Sequence, residues 1–222
     1  MTSQNKDVVV LLHGIMRHKV DMLRLAGQLH KNSYSTLNIF YPSHSKSLEQ
    51  LSTLVHHKIS TSKKCAEAPN IHFVTHSMGG LIARYYIDTY SPKNLGKVVM
   101  LSPPNSGSEC ADFLDNQRLT TKLFKTIWGP AGQQLRTHHI HDHKPITYPL
   151  GIIAGNKSSN PLAFVALKGE HDGMVPVERT KIEGMTDHII LPVTHTFMMF
   201  NKQVAKQTLH FLEKNKFKSV DS

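Results

Sequence analysis

Five apolar residues in a row, Val8-Val9-Val10-Leu11-Leu12, constrain this chain more than any other feature. A strand with one face in water alternates polar and apolar positions, whereas an unbroken run belongs to a strand covered on both faces. Similar runs recur along the chain: Leu37–Phe40, Asn70–Thr75, Val98–Leu101, Leu150–Ala154 and His188–Val193 each read as a strand. Between them lie segments with apolar residues at helical spacing. Asp21–His30 carries Met22, Leu25, Ala26 and Leu29, and Leu48–Lys58 carries Leu48, Leu51 and Val55, followed by Ile59. Met78–Tyr90 follows the third strand, and Phe197–Leu212 reads as a closing helix. This alternation predicts an α/β fold, a three-layer sandwich with a mostly parallel sheet of about six strands.

The rhythm breaks once. From about residue 105 to 149 the periodicity is weak and turn residues are frequent, as expected of a short cap inserted over a site. There is no internal repeat and no low-complexity linker, and 222 residues suit one core, so a single domain spanning 1–222 is expected.

The segment after the third strand holds the most chemical information: Thr75-His76-Ser77-Met78-Gly79-Gly80 ends a strand and opens a helix. A serine on so sharp a turn is lifted above the sheet beside the positive end of the helix, the setting of a nucleophile elbow. The positions two before and two after the serine must spare the backbone. Gly79 does so, while Thr75 stands where glycine is usual. An oxyanion forming at such a site needs donors already aimed at it. The backbone N–H of Met78 is one, and the loop His13-Gly14-Ile15-Met16, directly after the first strand, offers the N–H of Ile15 as the second.

Serine is a weak nucleophile without a base. The chain has 16 histidines, so position must choose among them. In a fold of this kind the triad runs Ser, then Asp or Glu, then His, with the base after the last strand. His195 is the histidine between the final strand and the closing helix; His188 and His210 fall within regular elements, and His76 is expected to pack or hydrogen-bond near the elbow. For the acid, Glu170, Asp172 and Glu178 lie between the fifth and sixth strands. Asp172 is preferred, because Gly173 lets a turn aim its short carboxylate inward; Glu170 is the alternative.

With these residues placed, the chain resembles the lipase and esterase branch of the α/β-hydrolase superfamily, closest to compact bacterial members grouped with triacylglycerol lipases and GPI-inositol-deacylase-like hydrolases. The resemblance spans nearly the whole chain: Leu11-Leu12-His13-Gly14, the elbow at Ser77, Pro103-Pro104-Asn105-Ser106-Gly107-Ser108-Glu109, Gly129-Pro130-Ala131-Gly132, Asp172-Gly173-Met174-Val175 and His195-Thr196-Phe197-Met198. It implies an α/β-hydrolase fold and hydrolysis of lipid or small acyl esters without an organic cofactor. It also implies catalytic roles for Ser77, Asp172 and His195, with oxyanion donors at Ile15 and Met78. Some relatives hold a structural calcium through an Asp just past the catalytic His; Thr196 and Phe197 stand there instead, so no metal is expected. An acyltransferase or thioesterase with the same triad, or a non-catalytic binding protein on this scaffold, are the alternatives.

The remaining features bear on partners and setting. A formal charge of +10, from 26 Lys and Arg against 16 Asp and Glu, is spread along the chain without a nucleic-acid motif. It is read as solubility, with weak association to anionic membrane surfaces allowed; the oligomeric state is not encoded in any pattern. His138-His139-Ile140-His141-Asp142-His143 crowds metal-ligating side chains, but without an i, i+4 pairing, and reads as a solvated cap loop. His56-His57 reads as a helix face, and Met100, Met185, Met198 and Met199 as core filler, with Met198 a candidate for lining an acyl pocket. Cys65 and Cys110 fit no metal or redox spacing and are expected as reduced thiols, or as a single disulfide in an exported protein. Met1 to Asp7 is polar and leads directly into the first strand, with no apolar leader, which predicts a cytoplasmic location unless a leader has been removed.

Overall fold

The structure is a computed structural model and describes residues 5–15, 17–106, 130, 145–159, 163 and 167–219. Strands β1 (Val8–Leu12), β2 (Ser35–Ile39), β3 (Ile71–His76), β4 (Leu95–Leu101), β5 (Leu150–Gly155) and β6 (Asp187–Leu191) form one sheet in the order β2-β1-β3-β4-β5-β6. All neighbouring pairs are parallel. The helices are α1 (Leu23–Lys31), α2 (Leu48–Ser60), α3 (Lys63–Ala66), α4 (Met78–Tyr90), α5 (Val177–Thr180) and α6 (Lys202–Lys214).

The run in β1 does what its composition predicts. Its side chains alternate between two cores, and both are dry. Val8, Val10 and Leu12 face a cluster with Leu51 and Val55 of α2 and Leu81, Ile82 and Tyr86 of α4. Val9 and Leu11 face the opposite cluster, with Leu25 and Leu29 of α1 and Val204 and Phe211 of α6. Burying large aliphatic side chains on both sides at about 1.5–3 kcal/mol each is what fixes the sheet between its two helical layers. The fold is the α/β sandwich expected from the sequence.

Several boundaries differ from the sequence reading. The closing helix does not begin at Phe197: a 3-10 turn covers Met198–Phe200, and α6 starts after Asn201, whose side chain caps it by accepting from the N–H groups of Gln203 and Val204. The segment expected as helix over Asp21–His30 is a 3-10 turn, Lys19–Met22, leading into α1. Strand β4 begins at Leu95 rather than Val98. Gly96 leaves room for the ring of His72, which a Cβ would meet at 2.3 Å, and the Lys97 N–H donates to His72 Nδ1 at 2.7 Å. Strand β6 covers Asp187–Leu191 rather than His188–Val193.

The strand order also places the site. From β1 the chain moves outward to β2, then returns past β1 to β3, so the direction of winding reverses between β1 and β3. In parallel sheets the crevice for ligands opens at the carboxyl ends of the strands flanking such a reversal. The loops His13-Gly14 and His76-Ser77 leave the sheet there. Most of the expected cap lies outside the described residues. At its base, Asn105 donates through Nδ2 to the Thr180 carbonyl at 2.8 Å and accepts from Arg84 Nη1 at 3.3 Å. No described helix is long and apolar enough to cross a membrane.

Candidate active site

Ser77 joins β3 to α4 with φ 54° and ψ −127°, a backbone conformation that a residue with a Cβ adopts only under strain. Its neighbours enforce the bend. A Cβ on Gly79 would lie 2.6 Å from the Leu12 carbonyl oxygen and 2.9 Å from that of His13, so only glycine lets the start of α4 pass the end of β1. On the other side of the serine, Thr75 is accommodated inside β3, fully buried. Gly80 lies beside it, with a built Cβ 3.4 Å from Thr75 Oγ1, so the second glycine of the motif makes space where the threonine takes some.

The loop after β1 runs against this turn. A Cβ on Gly14 would come within 3.1 Å of Ser77 Cβ and 3.0 Å of His76 Nδ1. His13 is buried and stacks on Tyr41 with ring centres 4.1 Å apart, and the Tyr41 hydroxyl donates to the His13 carbonyl. Ile15 follows Gly14 on this loop, and Met78, the first residue of α4, follows the serine directly. The first N–H groups of a helix have no acceptor within it, which is what suits them to a developing negative charge.

Asp172 and His195 come together from the loops after β5 and β6. His195 Nδ1 lies 2.7 Å from Asp172 Oδ2, and the His195 N–H donates to the Asp172 carbonyl at 2.9 Å. The other carboxylate oxygen, Oδ1, accepts from the N–H groups of Met174 at 3.0 Å and Val175 at 2.8 Å, a turn that Gly173 permits at φ 98°. Asp172 is buried. Burial pushes its carboxyl up, but the positive charge and hydrogen bond of His195, with donors from Ser102 and Val175, outweigh it, and the group sits below the usual carboxylate range. Glu170, the alternative acid, is exposed and accepts from Asn156 Nδ2 at 3.2 Å.

His76 links the two halves. Its Nε2 lies 3.0 Å from the His195 carbonyl, so that nitrogen carries the proton and donates, and the two rings are 4.7 Å apart. Burial, together with the charges of His195 and Arg17, holds this imidazole well below its ordinary value, which keeps it neutral. The residue before the serine thus secures the loop that carries His195. The expectation that His76 hydrogen-bonds near the elbow is met by this contact.

Two further residues had no signal in the sequence. Gly155 ends β5, where a Cβ would lie 2.4 Å from the Val193 carbonyl oxygen and 2.9 Å from Asp172 Cβ, so its bareness lets the loops of Asp172 and His195 approach. Ser102, just past β4, is fully buried at φ 42°; its hydroxyl hydrogen-bonds Asp172 and accepts from the Gly155 N–H at 3.3 Å. Among the residues set aside, His188 pairs with Thr180 Oγ1 at 2.9 Å and His210 with the Lys216 carbonyl at 2.7 Å. His56 stacks on Tyr90, ring centres 3.8 Å apart. Met198 is buried in the core between the sheet and α6, which removes it as a wall of an acyl pocket. Cys65 is a buried free thiol. The cluster His138–His143 and Cys110 lie outside the described residues.

The comparisons with known proteins point the same way. A family model described as palmitoyl protein thioesterase matches residues 8–144. Among solved structures, the mature form of the lipase BlEst2 from Bacillus licheniformis superposes with a TM-score of 0.73 at 19% identity, over 95% of this chain and 91% of that one. Phospholipase PlaB from Legionella pneumophila does so at 0.73 and 15%, over 96% of this chain and 60% of its own length. The esterase EaEST from Exiguobacterium antarcticum gives 0.64 and 13%, over 95% and 93%. At these identities the likeness establishes the α/β-hydrolase fold. No curated protein sequence matches.

Proposed function

The chain belongs to the palmitoyl protein thioesterase family, and from that premise we propose that it is a serine hydrolase that cleaves carboxylic esters through an acyl-enzyme. In this reading the chain is one catalytic domain, with the stretch from about 105 to 149 as its cap. Ser77 is the nucleophile, His195 the base, Asp172 the group that orients the base, and the N–H groups of Ile15 and Met78 the oxyanion donors. The observation that carries the proposal is the 2.7 Å pairing of His195 with the buried Asp172, on a loop that His76, the residue before Ser77, holds to the elbow.

Asp172 accepts from Nδ1–H of His195, which leaves Nε2 unprotonated and able to take the Ser77 proton. As the serine oxygen bonds to the acyl carbon, the carbonyl electrons move onto oxygen, where the two N–H groups stabilise them. The imidazolium then gives its proton to the leaving alcohol, and the acyl group remains on Ser77. Water, losing a proton to the same nitrogen, attacks the acyl carbon, and collapse of that second intermediate returns the proton to Ser77 and frees the acid.

The family match favours thioesters as a second substrate class. The same steps apply, with a thiol leaving in place of an alcohol. A panel of p-nitrophenyl esters and acyl thioesters of graded chain length separates the two. Ser77→Ala is expected to lower turnover of every reactive substrate by at least about 10⁴-fold with an unchanged circular dichroism spectrum. A fluorophosphonate probe is expected to label the parent chain and not the variant. Undiminished turnover by Ser77→Ala would overturn the assignment. Product analysis with an added acceptor alcohol distinguishes hydrolysis from acyl transfer.

A further inference from the structure

Of the five large apolar side chains that the described residues leave in water, four stand at the carboxyl end of the sheet; the fifth, Ile190, lies within β6. Val20 is 52% exposed, Leu23 56%, Phe40 47% and Phe197 66%. Val20, in the 3-10 turn, and Leu23, the first residue of α1, follow β1, Phe40 follows β2 and Phe197 follows β6, so all four stand on segments that leave the carboxyl ends of strands, as Ser77 does. Contacts gather them further. The Phe40 ring lies 4.6 Å from that of His18, which precedes Val20, and Arg17 Nη2 donates to the carbonyl of Thr196, the residue before Phe197, at 3.3 Å. Asn38, in β2, donates to the Lys19 carbonyl at 2.8 Å.

Cations flank these tips. Lys19 and Arg24 bracket Val20 and Leu23 in the sequence Lys19-Val20-Asp21-Met22-Leu23-Arg24, where Asp21 is engaged by the N–H of His18. Arg24 lines a groove between α1 and α6 together with Lys202 and Lys206. Lys206 continues into a second groove with His210 and Lys218. A soluble protein normally scatters its exposed apolar residues singly. Four at one end of the sheet, bordered by lysine and arginine on a chain of net charge +10, match a surface that is apolar beneath and anionic on top.

We infer that this end of the sheet docks on an anionic bilayer, with Val20, Leu23, Phe40 and Phe197 entering the headgroup layer and Arg24, Lys202 and Lys206 meeting lipid phosphates. The inference rests on Ser77 being the reactive group, since docking would then hold the site against the layer that stores its acyl substrates. A bilayer fits better than an acidic protein. The tips stand on three separate segments, after β1, β2 and β6, and a fluid interface accepts them without a matching shape.

The experiment uses the full chain and vesicles of about three parts phosphatidylcholine to one part phosphatidylglycerol, with pure phosphatidylcholine as control. Sedimentation is expected to show binding to the anionic vesicles only, weakened at least about tenfold in the double variant Val20→Ser/Leu23→Ser and about tenfold in Lys202→Glu/Lys206→Glu. Both variants should hydrolyse a soluble short-chain ester at the parent rate, and Ser77→Ala should bind vesicles as the parent does. Equal binding to neutral vesicles, or vesicle binding unaltered in both double variants, overturns the inference. So does binding to poly-glutamate that matches the vesicles and survives Val20→Ser/Leu23→Ser, which would assign the surface to an acidic polypeptide. Loss of vesicle binding with soluble ester turnover intact leaves the hydrolase reading standing, whereas turnover that survives Ser77→Ala removes that reading and leaves binding to be judged alone.

Discussion

The elbow at Ser77 is shaped mainly by residues beside it in the chain, whereas His195 and Asp172 are brought together by residues far from them. On the serine side the end of β3, the bend and the start of α4 are contiguous, braced by β1 against Gly79 and by the Ser77 N–H bond to the Leu101 carbonyl at 2.8 Å. On the acid–base side the constraint is assembled from β4, β5 and β6, and His195 is tied to His76 across 119 positions. The first arrangement needs only the central strands β1, β3 and β4. The second exists only when the whole sheet is in register. The difference predicts that the two halves fail in different ways.

The largest effect is expected from Asp172→Asn. The amide oxygen can keep the N–H groups of Met174 and Val175, but the amide nitrogen then faces His195 Nδ1, which must accept. Nε2 is left holding the proton and cannot take one from Ser77. We expect kcat to fall about 10⁴-fold with little loss of thermal stability, measured on a soluble ester. A loss below tenfold would mean that the acid half does not govern the reaction.

Acid should separate the halves next. His13 and His76 flank Gly14 and Ser77, and both are held below their ordinary value of 6.5, burial being the largest cause. The unfolded chain therefore takes up protons first as pH falls, and stability declines below about pH 6.5, by at most about 1.4 kcal/mol per pH unit for each imidazole. The buried His72 adds to the same decline. Asp172 adds a loss of the same sign in a lower pH window. Its contribution is in place above the ordinary value of 3.8 and is lost only as pH drops further, through its lowered native value. Thermal melts between pH 7 and 4 should fall steadily, and His76→Asn should flatten the slope. A melting temperature independent of pH over that range contradicts the neutral, buried state of these histidines.

Two glycines give the comparison its steric form. Gly79→Ala presses a methyl into the Leu12 and His13 carbonyls, atoms of the core strand, and should destabilise the protein by about 3 kcal/mol. Gly155→Ala presses on the Val193 carbonyl and Asp172 Cβ, which belong to the segments after β6 and β5 and not to the core strands. It should cost about 1–2 kcal/mol of stability while lowering kcat about a hundredfold, because a shift near 1 Å in a catalytic group is enough for that. Comparable losses of stability and activity in both variants would erase the distinction.

What could be read from the sequence follows the same division. The run in β1, the helix Met78–Tyr90 and the elbow were visible because each is specified within a dozen residues. His195 and Asp172 were reachable only through chain order and the position of loops. Gly155 and Ser102 carried no signal, because their roles depend on what the fold brings beside them. Strand β4 was read short because Gly96 and Lys97 do not resemble strand residues until the ring of His72 is seen filling the space over the glycine. The closing helix was read long because Phe197 continues its apolar spacing, although that side chain points into water and the cap is Asn201.

Ser102 is the finest test of the long-range half. Its backbone sits at φ 42°, strained for any residue with a Cβ, and its hydroxyl reaches Asp172. Ser102→Ala keeps the strain and removes the hydroxyl, leaving the buried carboxylate with one donor fewer; Ser102→Gly removes both. If the residue serves to hold Asp172, the two variants should share a fall in kcat of about tenfold with KM unchanged, since a hydrogen bond to a charged group contributes about 1.5–3 kcal/mol and part of it is recovered by the remaining donors. Ser102→Gly should also be the more stable of the two, by about 1 kcal/mol, from relief of the backbone. If Ser102→Gly kept parent activity while Ser102→Ala lost it, the position would matter for the course of the backbone after β4, and the carboxylate would be held by His195, Met174 and Val175 alone.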